Sequence, residues 1–312
     1  AVVGTGATLY LPEGDLAKSV PFLIAPTAGL TFTFANNADG RYVLHDNGTY
    51  LVYTPLTPFN LTATVSGNAN WTALPWKDAE GNDIPAGIWD NAAFTPDVTL
   101  TFTNKATISY TTRTVGNVTI SADSKGVGTL SGSTTNTLTA KTLTVDHNAL
   151  VNAIAPEKVV IAKDVSLTAD IGTGAGDTVW TCPIEGEGTL VKRGSRKLTL
   201  KGKVTLPTLV NGYGYSSGSG NIVALEQDYT GAIFFSEAVS DAKDANNDGQ
   251  SSGGGRVEIT SGATLTLTEA DVDKYDAVFT GAGDLVLPAG AKLSVRSGSE
   301  TACFNASALT GT

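Results

Sequence analysis

A glycine-rich phrase recurs along this chain and limits what it can fold into. It is fullest at residues 186–202, Gly186-Glu-Gly188-Thr-Leu190-Val-Lys192-Arg-Gly194-Ser-Arg-Lys-Leu198-Thr-Leu200-Lys-Gly202. Leucines at alternate positions set an apolar row on one side of a short strand, and glycines fall where the backbone must bend. The head of the phrase returns as Gly126-Val-Gly128-Thr-Leu130 and Gly281-Ala-Gly283-Asp-Leu285. A second phrase occurs as Gly6-Ala-Thr-Leu9-Tyr-Leu11, Gly262-Ala-Thr-Leu265-Thr-Leu267 and Gly290-Ala-Lys-Leu293-Ser-Val295. The repetition predicts many short strands joined at similar corners.

Composition agrees with that expectation. Charged residues make up only 16% of the chain and glycine contributes 35 residues, a balance that favours short strands and tight turns over long amphipathic helices. The fold class expected is all-β, as one elongated repeat array or two compact domains. Thirty acidic against twenty basic side chains give a net charge of −10, which repels polyanions and excludes nucleic acid as a partner. No apolar run is long enough to span a membrane, so no membrane span is expected. Methionine is absent, even at position 1. Ala1 is therefore read as the start of a processed chain whose secretory signal peptide has been removed.

Three regions follow in order. Residues 1–66 form an N-terminal β segment, either a cap or a small domain. There, Leu30-Thr-Phe32-Thr-Phe34 alternates, and Asn47-Gly48 between Tyr42-Val-Leu44 and Tyr50-Leu-Val-Tyr53 predicts a hairpin. Residues 67–95 are a tryptophan-rich boundary in which Trp71, Trp76 and Trp89 lie among Asp78, Glu80, Asp83 and Asp90. The indoles either close the open end of a β array or form an aromatic platform for sugar rings with carboxylates beside it. Residues 96–312 are repetitive β structure, with Val98, Leu100 and Phe102 alternating with Thr99, Thr101 and Thr103. Two short helices are expected within it, at residues 148–155 and 268–275.

The Gly186 to Gly202 phrase, followed by Gln227-Asp-Tyr229-Thr-Gly231, resembles the passenger-associated or autotransporter-associated β-strand repeat of bacterial surface proteins. In that repeat a Gly-x-Gly-x-Leu-x-Lys-x-Gly phrase leads to Leu-Thr-Leu-x-Gly and then to Tyr-Thr-Gly. The resemblance implies a right-handed parallel β-helix or solenoid, secreted and displayed at the cell surface, over residues 96–312. Tandem β-sandwiches are the alternative. A solenoid would present its ends as the adhesive surfaces.

Several residues carry candidate chemistry. Asp244-Ala-Asn246-Asn-Asp248-Gly249 matches the opening of a calcium loop, in which alternate oxygen-bearing side chains converge on a hard cation, with Asp241 available to complete the shell. The competing reading is an acidic Gly-Ser loop. Lys192, Arg193, Arg196 and Lys197 predict an outward basic stripe able to meet an acidic face of a second copy or an anionic glycan. Cys182 and Cys303 fit either one bridge, worth roughly 4 to 5 kcal/mol in the chain-entropy model, or two buried thiols. His45 and His147 are the only imidazoles, and no nucleophile elbow or carboxylate pair accompanies them, so no enzyme activity is expected.

The function expected is that of an exported, non-enzymatic structural surface protein that builds a fibre, layer or matrix from copies of itself. Stacked solenoid ends, or a donated strand containing Gly4, Leu9 and Leu11, would supply the contacts. An adhesin or glycan-binding passenger using Trp71, Trp76, Trp89 and Asp90 is the alternative. A β-helical polysaccharide-degrading enzyme is the third.

Overall fold

The structure is a computed structural model. It describes residues 60–84, 88–89, 94–123, 126–133, 135–172, 176–212, 222–236, 256–268 and 278–288, together with the backbone of five strands between residues 8 and 55. From residue 60 onward the strands stack in parallel on three faces. The first face runs through Asn60–Val65, Asp97–Phe102, Arg113–Ala122, Leu138–Val145, Val159–Ile161 and Ile184–Gly186. The second face contains ten strands, from Ala69–Asn70 at one end to Asp284–Val286 at the other. The third contains five, from Thr178–Trp180 to Val278–Gly281. The chain passes from face to face and returns one level along, which makes it an all-β parallel β-helix.

Register explains why these residues form these strands. On the first face Leu61, Val98, Val118, Leu143, Val159 and Ile184 are successive partners. All six are at most 2% exposed. Because side chains alternate sides along a strand, the next inward position forms a second column of Ala63, Leu100, Ile120, Val145 and Ile161. One core thus continues from coil to coil, each buried Leu, Ile or Val contributing about 1.5 to 3 kcal/mol.

The glycine phrases lie at the corners leading into the second face. The Ile161 carbonyl accepts hydrogen bonds from the amides of Glu187 (3.2 Å) and Gly188 (3.3 Å). A Cβ at Gly186 would overlap that carbonyl oxygen, and one at Gly188 would overlap the carbonyl of Ala162. The same pair of bonds recurs where the Ile259 carbonyl accepts from Ala282 and Gly283, both at 3.0 Å. Glycine is required because the corner of one coil sits directly on the backbone of the coil before it.

These corners belong to a cycle of three coils. In the first, Asn148 accepts a hydrogen bond through Oδ1 from the Ser166 amide of the following coil (2.8 Å). In the second, a tight turn closes with the Val165 amide donating to the Ala162 carbonyl at 3.2 Å, with Asp164 at φ 59. In the third, Gly186 and Gly188 seat on that turn. The cycle returns with Asp228 accepting from the Thr264 amide (2.8 Å), a turn in which the Ala263 amide donates to Thr260, and then Gly281 and Gly283. A looser version has Asn68 accepting from the Thr107 amide (2.8 Å), followed two coils later by Gly126 and Gly128. Register supports the equivalence, since Thr107 pairs with Thr129, Ser166 with Thr189 and Thr264 with Asp284.

At the amino-terminal end of the stack, strand Asn60–Val65 does not end in an open edge. Thr62 and Lys77 exchange both backbone hydrogen bonds at 2.8 Å in an antiparallel bridge, so the segment after Trp76 folds back along it. Upstream, Tyr42–Asp46 and Leu51–Pro55 pair antiparallel around Asn47-Gly48, as the hairpin signal predicts. Thr8–Leu9 pairs in parallel with Thr33–Phe34.

The helix expected over residues 148–155 is corrected. Ala149–Val151 and Ile154–Pro156 are strands on different faces, separated where Ala153 takes φ 50. A short apolar run fits either structure, and here neighbouring strands satisfy its backbone groups. Of the helix expected at residues 268–275, all but Thr268 lies outside the described residues.

Candidate functional site

Among the described residues, three tryptophans and a phenylalanine pack into one cluster. Trp71 opens a short 3-10 turn directly after Ala69–Asn70, the end strand of the second face. Its ring centre is 5.1 Å from that of Trp76 and 5.7 Å from that of Trp89; Trp76 and Trp89 are 5.2 Å apart. Phe94 meets Trp89 edge to face at 5.0 Å. The Trp76 indole donates to the Trp71 carbonyl (2.8 Å). Arg113 closes the group, with Nη1 donating to the Trp89 carbonyl (2.7 Å) and the guanidinium 5.2 Å from the Trp89 ring centre.

This geometry is that of a plug. Trp71, Trp76 and Trp89 are 1, 2 and 4% exposed, whereas a sugar platform needs open ring faces. Nor does Asp78 offer its carboxylate to a ligand: it is buried and accepts from the amides of Glu80 (3.1 Å) and Asn82 (2.7 Å) and from Asn82 Nδ2 (2.9 Å). Asp90 lies outside the described residues.

The basic stripe is also corrected. Lys192 follows Leu190 by two positions in Thr189–Arg193 and so shares its inward side, where it is 1% exposed. Its Nζ donates to the Gly194 carbonyl at 2.5 Å. Burial pushes its pKa down to about 7, against the opposing pull of Asp170 and Asp177. Of the outward residues, Arg196 is exposed, Arg193 lies 4.0 Å from Asp170, and Lys197 pairs with Glu258 at 2.7 Å. Lys201 pairs with Glu226 at 3.0 Å. Carboxylates one or two coils away thus meet much of the positive charge.

The other expected sites divide by position. Cys182 is a buried free thiol whose pKa burial raises to about 11, and Cys303 lies outside the described residues. Asp241, Asp244, Asn246 and Asp248 of the calcium loop also lie outside them, as do Gly4 and Leu11. Leu9 pairs with Phe34 of its own chain. Among the described residues no cluster of His, Cys, Asp and Glu is arranged to hold a metal ion, and no helix is long and apolar enough to cross a membrane. One feature escaped the sequence-based reading. The outward threonines of the first face align across strands, a pattern that the alternation at Val98–Thr103 carried but did not place in register.

Fold and side-chain placement define an all-β protein of the parallel β-helix type. Comparisons with protein families, with curated proteins and with solved structures return no match.

Proposed function

We propose that this chain is an exported, non-enzymatic structural element of a bacterial surface that associates with copies of itself. The observation that carries this reading is the second face, ten parallel strands backed by one continuous core, which makes a stiff body on the order of 40 Å long at about 4.8 Å per strand. Stiffness over distance is what a layer or fibre asks of its unit. Ion pairs linking successive coils, Lys158 with Glu185 and Lys201 with Glu226, add to that role. Export rests on the resemblance of residues 186–202 to passenger repeats. The Thr62–Lys77 bridge interrupts the free edge of Asn60–Val65, which disfavours strand addition there and directs association to the far end or the sides.

Light scattering and negative-stain imaging over a concentration series, with and without millimolar calcium, test the proposal. Ordered filaments or sheets are expected. A monomer under every condition would refute it, and a calcium requirement would direct attention to the Asp244 loop.

A further inference from the structure

On the outer side of the first face, Thr62, Thr99, Thr119 and Thr144 are partners on four successive strands. Two residues further along, Thr64, Thr101 and Ser121 form a second row in the same register. Strand geometry spaces the hydroxyls of one row about 4.8 Å apart and sets the two rows about 6.6 Å apart. Threonine is β-branched and stiff at χ1, so a column of threonines repeats its hydroxyl and methyl in one orientation. Behind the rows the core column is at most 3% exposed, which holds the lattice rigid.

The array carries no charge, although the chain around it does. Lys77 and Asp83 pair beside Thr62 at one end, and Lys158 and Glu185 pair at the other. Asp97, on the flank, accepts from the Asn117 amide (2.6 Å) and side chain (3.1 Å). The outer side of the third face is built differently, with Lys197–Glu258 and Lys201–Glu226 ion pairs. The second face also carries outward hydroxyls, with Thr107 paired to Thr129 and Ser109 to Ser131, but there the row from Thr129 to Thr168 is interrupted by Leu150 and charge enters at Asp170 and Arg193. Thr103 turns its hydroxyl back to the Val65 carbonyl (3.4 Å), whereas no hydrogen bond among the described residues holds the hydroxyls of the two rows. They are left to water.

We propose that this face binds ice. A rigid, uncharged lattice of hydroxyls and methyls has little to offer a flexible partner, whose groups would not repeat at its interval. It suits a solid whose oxygens do repeat, and on the prism face of ice they do so at nearly the strand spacing. A crystalline polysaccharide would call for open aromatic faces, and the three clustered indoles are buried. Each well-placed hydroxyl exchanges a liquid-water contact for one with ordered water, without stripping a charge of its solvent. The inference stands whether or not copies of the chain associate.

Nanolitre osmometry and ice-recrystallisation assays on the full chain test it. The wild type should facet a seed crystal, hold its growth within a hysteresis gap and slow recrystallisation. The outward double variant Thr99→Lys/Thr119→Lys should lose all three while keeping the wild-type circular dichroism and melting temperature, and Thr168→Lys on the second face should keep them. Three results would overturn the proposal: rounded growth with no gap at millimolar wild-type protein, a folded double variant with full activity, or binding to crystalline cellulose or chitin without effect on ice.

Discussion

Lys192 is the register partner of Asn211 on the next coil, and both side chains are buried. The inward column they occupy runs Ile108, Leu130, Val151, Ala169, Lys192, Asn211, so a hydrophobic row turns polar as it passes the Gly194 corner. An ammonium taken out of water is costly unless it is hydrogen-bonded or neutral. Here the Gly194 carbonyl accepts from it, and burial lowers its pKa to about 7.

A pH dependence follows. The folded-state pKa lies below the value of about 10.4 in an unfolded chain, so between about pH 7 and pH 10 the unfolded state holds more protons and stability rises with pH. Below that window the destabilisation is fully present. Burial also pushes Tyr110 and Tyr229 upward, but their effect begins only above about pH 10, where an unfolded tyrosine ionises. Cys182 acts oppositely in this window, because an unfolded thiol ionises at about pH 8.5 to 9 while the buried one stays protonated to about 11. Urea midpoints at about pH 7.5 and 9.5 should therefore show the wild type gaining stability and Lys192→Met losing some. Equal slopes in the two proteins would show that Lys192 is not the titrating group.

The glycine corners predict a steric asymmetry. In Gly188→Ala the new methyl meets the carbonyls of Ala162 and Val165 and the Ile161 side chain, and backbone cannot move aside as a flexible side chain can. The loss should be about 1 to 3 kcal/mol. Gly67→Ala has nothing within 4 Å and should change stability by less than about 0.5 kcal/mol. Denaturant midpoints of the two variants check this, and similar losses at both positions would contradict the packing argument.

Much of this arrangement was legible in the sequence. Alternating leucines and paired glycines placed Leu190, Leu198, Gly186 and Gly188 correctly, because strand parity and steric exclusion act over a few residues. Parity also held the right answer for Lys192, two residues from Leu190, but reading the basic cluster as one stripe obscured it. The three-coil cycle was hidden because an additional coil at Thr208–Gly212 and longer connections make its returns unequal in length. The tryptophans could be counted but not oriented, since burial of an indole depends on Arg113 and Phe94, brought beside Trp89 only by the fold.

The plug makes a prediction that a sugar platform does not. Trp76→Ala should cost about 3 to 5 kcal/mol, as expected for emptying a packed aromatic site. Native fluorescence should be blue-shifted and resist quenching by iodide, because Trp71, Trp76 and Trp89, like Trp180, are at most 4% exposed. Strong iodide quenching, or full stability in the variant, would contradict the plug.

The side-chain acceptors at the first corner of each cycle predict which substitutions are tolerated there. Asn148 receives the Ser166 amide, and at the equivalent place Asp228 receives the Thr264 amide at the same 2.8 Å. What matters is a side-chain oxygen at that reach, whether amide or carboxylate. Asn148→Asp should therefore stay close to wild-type stability, while Asn148→Ala, which leaves the amide without its acceptor, should lose about 1 kcal/mol. Thermal or urea unfolding of the two variants distinguishes them. Equal losses would mean that the corner depends on the asparagine amide group itself and that the equivalence with Asp228 is only positional.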